Sequence, residues 1–217
     1  MSDLIDLSHV IEPGTITYPG LPGPVITDHL SRRDSRDHYA EGTEFQIGRI
    51  DMVANTGTYL DTPFHRFAEG FDLAGLPLEK TANLPGVCLQ ADGMELGARL
   101  LDEIDIEGRA VLFSTGWDRH WGTDRYGDPD HPFVNAEAAQ RLATGGAALV
   151  GIDSVNIDDT RRGTRPAHTT LLEAGIPIVE HLTGLDALVG RPFRFSAIPP
   201  KVKGMGTFPV RAMALLD

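Results

Sequence analysis

The chain has 217 residues, 41% hydrophobic and 23% charged, a composition with enough apolar side chain for a sizeable core. Nineteen Lys and Arg against thirty-one Asp and Glu give a formal net charge of -12, which leaves no broad basic face for nucleic-acid phosphates or anionic lipid headgroups. The single cysteine, Cys88, excludes an intrachain disulfide and a paired-cysteine zinc knuckle, so any metal must be held by His, Asp and Glu. Asp3 and Asp6 stand at the amino terminus, and no apolar run reaches the roughly 20 residues that span a bilayer. The expectation is a soluble, cytoplasmic protein with a small-molecule partner, and with neither nucleic acid nor membrane as partner.

Many Gly and Pro residues imply turns and short elements rather than long helices. In chain order, residues 11–25 read as an irregular loop carrying Tyr18, and residues 31–43 as a charged loop. Phe45, Ile47 and residues 50–53 form a strand pattern, followed by the compact segment NTGTYLDTPFH at residues 55–65. Short apolar runs at 87–90, 110–113, 148–152 and 176–179 have the length and flanks of buried strands. Asn135 caps a helix through residues 136–143, and Thr169 or Thr170 opens a short helix that Gly175 closes. Strand-like pieces at 193–198 and 210–215 end the chain. With no repeat and no linker, the pattern is one mixed α/β domain over residues 1–217, strand-rich in its first half and alternating βα in its second.

Several side chains stand where their chemistry asks for a partner. Asp61 and His65 are four apart, but Pro63 between them argues against one helical face. Fixed on a turn, they can ligate a divalent cation or form an orienting pair for proton transfer; alternatively Asp61 accepts backbone N–H groups while His65 stays half-exposed. Glu180 ends an apolar run, where an unpaired carboxylate costs several kcal/mol, so it reads as a metal ligand, a base, or the partner of Arg165 or Arg211. His168 precedes the short helix as a ligand or as its cap, and His181 faces away from Glu180 if the strand continues. His9 follows a strand-like start, and His29, His38, His120 and His131 fall in polar loops. Asp153, Asp158 and Asp159 cluster after a strand, with Asp153 the candidate to line a pocket. Trp117, Trp121 and Tyr126 either wall a pocket or anchor a loop, and Cys88 reads as core. There is no G-x-S-x-G nucleophile elbow, GxGxxG or P-loop pattern.

NTGTYLDTPFH resembles the H-x-G-T-H-x-D-x-P-x-H signature of the cyclase family, to which bacterial kynurenine formamidases and isatin hydrolases belong. The likeness continues through DLSHVIEPGTITYPG, VLFSTGWDRHW, LVGIDSVNID, HTTLLEAGIPIVEHL and IPPKVKGMGTFPVRAMAL. It implies a swivelling β/β/α fold, assembly as a homodimer or higher homo-oligomer, and metal-dependent hydrolysis of C–N amide bonds in small formamides or cyclic amides. Carried over by position, Asp61, His65, His168 and Glu180 form the metal centre, while Asn55 and Tyr59 replace two signature histidines. That implies loss of a second metal site and retention of one Zn²⁺ or Mn²⁺, with His65, Glu180 and Tyr59 catalytic. Asn55, Tyr18, Phe64 and Trp117 would contact substrate, with Trp121 a further wall. The competing expectations are a metal-free lactonase, cyclase or dehydratase with His65 as general base, and a ligand-binding descendant without turnover.

Overall fold

The computed structural model describes residues 3–216. In chain order its strands and helices are β1 (Leu4–Asp6), β2 (Val25–Leu30), α1 (Arg32–Ser35), β3 (Ile47–Asp51), β4 (Tyr59–Asp61), β5 (Leu84–Gln90), β6 (Glu95–Leu96), β7 (Ala110–Ser114), β8 (Phe133–Val134), α2 (Ala136–Thr144), β9 (Leu149–Ile152), α3 (Pro166–Glu173), β10 (Ile178–Glu180), β11 (Phe193–Ser196), β12 (Thr207–Pro209) and β13 (Met213–Leu216). Nine strands form one curled mixed sheet in the order β1-β13-β11-β5-β7-β9-β10-β4-β12. Its middle, β5-β7-β9-β10, is parallel, and the pairs on either side are antiparallel. This is the α/β architecture expected from the sequence.

Strand β7 explains the two-sided core. It is buried throughout, with Ala110 and Leu112 in one apolar cluster and Val111 and Phe113 in the other. A strand covered on both faces reads as a continuous apolar run, while successive side chains still alternate between faces. The first cluster joins Leu60, Val179 and Phe195. The second receives Ala138 and Leu142 of α2 and Leu171 of α3. Cys88 belongs to the first cluster, as expected.

Both main helices follow local rules. The Asn135 side chain accepts from Ala138 N at 2.9 Å to cap α2. Helix α3 begins at Pro166, earlier than the threonines suggest, because Pro is tolerated in the first turn where an N–H partner is lacking. His168 therefore lies inside the first turn of α3 rather than before it. Gly175, at φ +70°, ends that helix: its N–H meets Leu172 O and the Ile176 N–H meets Leu171 O.

Four expectations change. Residues 31–43 include helix α1 and a 3-10 turn at Arg36–His38, and His29 lies within β2. Residues 59–61 form β4, because β10 and β12 supply hydrogen-bonding edges on both sides. The last strand pattern, 210–215, is strand only from Met213 on, in β13, while β12 forms just before it at Thr207–Pro209. No described helix is long and apolar enough to cross a membrane.

Candidate active site

Strands β4 and β10 pair antiparallel, with Glu180 opposite Tyr59 and Ile178 opposite Asp61, so two buried acids come from adjacent strands. After β4 the chain turns through a 3-10 segment, Pro63–His65, which presents His65 beside Asp61. Strand β12 seals this turn, and Gly206 allows the approach: a Cβ there would lie 2.3 Å from His65 N. Thr207, the next residue, donates its hydroxyl proton to Asp61 Oδ1, and its oxygen accepts from His65 Nδ1 at 2.8 Å. One hydroxyl thus fixes both groups and leaves Nε2 of His65 as the unprotonated nitrogen.

His168 is oriented by the same logic. Its Nδ1 donates to Asp158 Oδ2 at 2.7 Å, and the Asp158 carboxylate also accepts from Ala167 N and His168 N. Nε2 of His168 then lies 3.7 Å from Asp61 Oδ2 and 3.6 Å from Glu180 Oε1. Asp61 Oδ2 is buried and has no hydrogen-bond partner among the described residues. Asp61, His65 and His168 each offer a ligand atom, all within 4.8 Å of one another. An orphaned carboxylate oxygen beside two imidazoles with Nδ1 fixed elsewhere fits a divalent cation.

Glu180 is engaged on both oxygens. Oε1 accepts from Ile157 N at 2.7 Å and Oε2 from the Tyr59 hydroxyl at 2.6 Å. Neither arginine expected near it pairs with it: Arg211 holds Asp6, and Arg165 donates to backbone carbonyls. The chain turns sharply after Glu180, with His181 at φ +57°, so His181 does not face away from the site. Its Nε2 lies 3.2 Å from the Tyr59 hydroxyl, whose proton is given to Glu180, so the ring donates there. Nδ1 accepts from the Tyr126 hydroxyl at 2.8 Å. The result is a buried, one-directional chain from Tyr126 through His181 and Tyr59 to Glu180.

The electrostatics follow from burial and crowding of acids. Burial lifts Glu180 above the usual carboxylate range, and nearby Asp61 adds to this. Burial opposes a charged His168, yet Glu180, Asp158 and Asp61 outweigh it and raise the imidazole to about 10. Burial also works against an ionised Asp61, but His168, His65 and Thr207 hold its carboxyl below the ordinary value. Burial and the Glu180 charge push the Tyr59 phenol well up, and burial lowers His181 to about 3. Asp61, Asp158 and Glu180 thus crowd three carboxyl groups around His168.

A cavity of about 320 Å³ opens onto these groups. Besides Tyr59, His65, His168 and Glu180, its lining is Tyr18, Leu21, Asn55, Arg66, Asn156 and Arg165. Tyr18 and Asn55 are placed as expected. Phe64 and Trp117 do not line it: Phe64 is half-buried in the turn before His65, and Trp117 packs with Tyr126 and Val155, its indole N–H donating to Tyr126 O at 3.0 Å. Trp121 stacks on His9 with ring centroids 3.9 Å apart. Asp153 braces a loop by accepting from Thr115 N and Gly116 N and does not line this cavity. His131, expected in a polar loop, is buried between Ser154, Pro132 O and Thr160. Sequence reasoning missed Thr207, Asn156 and Arg66 as site residues, and the Asp158 support of His168.

A curled mixed α/β sheet with an Asp/His cluster able to hold a cation defines the class. The Cyclase family model, described as "Putative cyclase", matches residues 5–159, and the chain belongs to that family. It is 30% identical over 216 residues to a kynurenine formamidase of Geobacillus thermodenitrificans, covering 98% of this chain and 97% of that protein. A kynurenine formamidase of Salinibacter ruber is 29% identical over 220 residues, covering 97% and 96%. A solved structure described as a potential metal-dependent hydrolase with cyclase activity matches with TM-score 0.79 and 26% identity, over 100% of this chain and 99% of that chain. Isatin hydrolase A from Labrenzia aggregata matches in fold with TM-score 0.83 at 22% identity, over 99% and 94%.

Proposed function

We propose that this chain hydrolyses a non-peptide C–N bond, a formamide or cyclic amide, in a small molecule. The observation that carries the reading is the unpartnered Asp61 Oδ2 beside two imidazoles whose Nδ1 atoms are already spent on Thr207 and Asp158. The family relatives named kynurenine formamidase support the reaction class. Asp61, His65 and His168 would hold one Zn²⁺ or Mn²⁺, and Asn55 and Tyr59 supply no second imidazole pair. Such an ion, when bound, supplies Lewis acidity towards an amide carbonyl and towards water.

The chain's own residues divide the remaining work. Tyr59 occupies Glu180 Oε2, while Oε1, which accepts from Ile157 N on the His168 side, keeps a second lone pair to take a proton from water and return it to the leaving nitrogen. Tyr59 is thereby a positioning residue whose hydroxyl proton is already committed. Asn55 and Asn156 offer amide groups to substrate polar atoms, and Tyr18 and Leu21 offer apolar wall. A metal-free route has one observation in its favour: Thr207 links Asp61 to His65 in the manner of an oriented general base.

Chelator-free protein separates these routes. One metal ion per chain, with formanilide hydrolysis lost to a chelator and restored by Zn²⁺ or Mn²⁺, is expected. Less than about a tenth of an equivalent, with no gain on adding either ion, would overturn the metal-dependent reading. Loss of turnover in His65→Ala without metal dependence would then assign the base to His65.

We also propose assembly as a homodimer through the β2–β3 hairpin. Ile26 and Ile50 are register partners on an exposed ladder, with Val25, Phe45 and Ile47 exposed nearby. An isolated two-stranded hairpin is marginal in water, so a second copy packed on it supplies the missing cover.

A further inference from the structure

The stretch between β9 and α3 gives three consecutive residues to the site, each through a different group. Ile157 N donates to Glu180 Oε1 at 2.7 Å, and the Asp158 carboxylate accepts from His168 Nδ1 at 2.7 Å. Asn156, the first of the three, is 8% exposed and lines the cavity beside His65, His168 and Glu180. Its Oδ1 accepts from Asp158 N at 2.9 Å. Because a backbone N–H can only donate, the amide atom turned to Asp158 is the oxygen, which orients the NH₂ group the other way. That nitrogen has no hydrogen-bond partner among the described residues, yet it is not one of the buried unpartnered atoms, His9 Nε2 and Asp61 Oδ2, so it stays open to the cavity. The donors closest to the acids are already committed. The Tyr59 hydroxyl proton goes to Glu180, that of Thr207 to Asp61, and the Nδ1 protons of His65 and His168 to Thr207 and Asp158. Of the uncommitted donors that line the cavity, Asn156 is the one carried on the turn that fixes both Glu180 and His168.

We propose that Asn156 is a catalytic residue whose Nδ2–H donates to the carbonyl oxygen of the bound amide as water adds to it. The water oxygen bonds to the carbonyl carbon, its proton passes to Glu180, and the π electrons of the carbonyl move onto oxygen. The carbonyl then re-forms, the C–N bond breaks, and the proton on Glu180 goes to the leaving nitrogen, which gives a carboxylic acid and an amine. Asn156 transfers no proton and holds the oxygen throughout. Asp61, Asp158 and Glu180 repel the charge that develops there, and a neutral donor fixed in advance by its own backbone offsets that repulsion without reorganising. The role rests on the amide-hydrolase reading for turnover, though a hydrogen bond to a carbonyl can be measured without it.

The test compares formanilide with thioformanilide, whose sulfur is the weaker acceptor, using Zn²⁺-loaded protein. Asn156→Asp keeps the oxygen that meets Asp158 N and removes the donor. Its kcat for formanilide should fall about 100-fold, the scale for one oxyanion donor, with KM held within about threefold. The oxygen-to-sulfur ratio of kcat/KM should fall about tenfold in this variant and in Asn156→Ala, which adds no charge. Zn²⁺ affinity should not weaken in Asn156→Asp. A residue that merely braces the Asp158 turn would lower Zn²⁺ affinity and leave the oxygen-to-sulfur ratio unchanged. That result, or an unchanged kcat, overturns the proposal. If no amide is cleaved, calorimetric titration with oxindole and its 2-thione decides it separately. A relative preference for oxindole that drops about fivefold in Asn156→Asp sustains the donor while the hydrolase reading fails, and the same preference in both proteins ends it.

Discussion

The β2–β3 hairpin and the β4–β10 pair are both short antiparallel ladders, yet their burial runs opposite to their hydrophobicity. Ile26, Ile47 and Ile50 of the hairpin are 43%, 49% and 47% exposed, whereas Asp61 and Glu180 on the inner pair are 0% and 1% exposed. The inner pair is covered because β9 and β12 flank it and both core clusters close over it. The hairpin pairs only with itself in the sheet topology. Apolar residues thus lie on the surface proposed above as the dimer contact, and charges are buried where fixed donors can offset their desolvation.

The largest effect that probes this difference is Leu60→Ala. Leu60 is fully buried between Tyr59 and Asp61, and its truncation should cost about 2–5 kcal/mol in chemical denaturation. A loss near that of a surface change would show that the inner pair is not the rigid element. Next is Asp61→Asn, which keeps the shape but removes the anionic ligand. Metal content should fall, and kcat/KM should drop by more than about 100-fold, beyond the range for supporting residues. Asp158→Asn tests such support: a loss of about 10–100-fold in metal affinity is expected, since His168 Nδ1 keeps a weaker acceptor.

His9 gives a smaller, pH-dependent effect. Burial lowers it to about 4 from an ordinary 6.5, and its Nε2 is buried without a partner among the described residues. Between those values the unfolded chain binds the extra proton, so His9 stabilises the fold above pH 6.5 and loses that contribution as pH falls towards 4. His9→Phe, which keeps a ring on Trp121, should flatten the acid fall in stability by up to about 1.4 kcal/mol per pH unit. Unchanged slopes in urea titrations at pH 4.5 and 6.5 would exclude it. The smallest folding effect belongs to the hairpin: Ile26→Ala with Ile50→Ala should change monomer stability by only about 0.5 kcal/mol. The same pair should shift sedimentation towards monomer, and a dimer that persists would remove the hairpin from the interface.

The parts of the molecule legible in the sequence share a local cause. The Asn135 cap, the Gly175 stop and the apolar runs of β5, β7 and β9 depend on side chains within a turn or on strand burial, which leaves a composition signal. The pattern around Asp61, His65, His168 and Glu180 was legible through motif spacing and family likeness. The supports of those groups were not. Thr207 reaches Asp61 from 146 positions away, and Tyr126 reaches His181 across 55. Phe64 and Trp117 show the reverse error, in which aromatic residues near a motif suggest a pocket wall that packing assigns elsewhere.

By itself the sequence determined the α/β class, the absence of cysteine ligands, and the replacement of two signature histidines by Asn55 and Tyr59. The tertiary structure decided what those residues meet: Tyr59 turned onto Glu180, Asp158 holding His168, and Arg66 and Arg165 brought to one cavity. The reason is physical. Composition and periodicity report how a residue suits its own element, whereas hydrogen bonds and charge pairs in a curled sheet join strands far apart in sequence, and register alone fixes which groups meet.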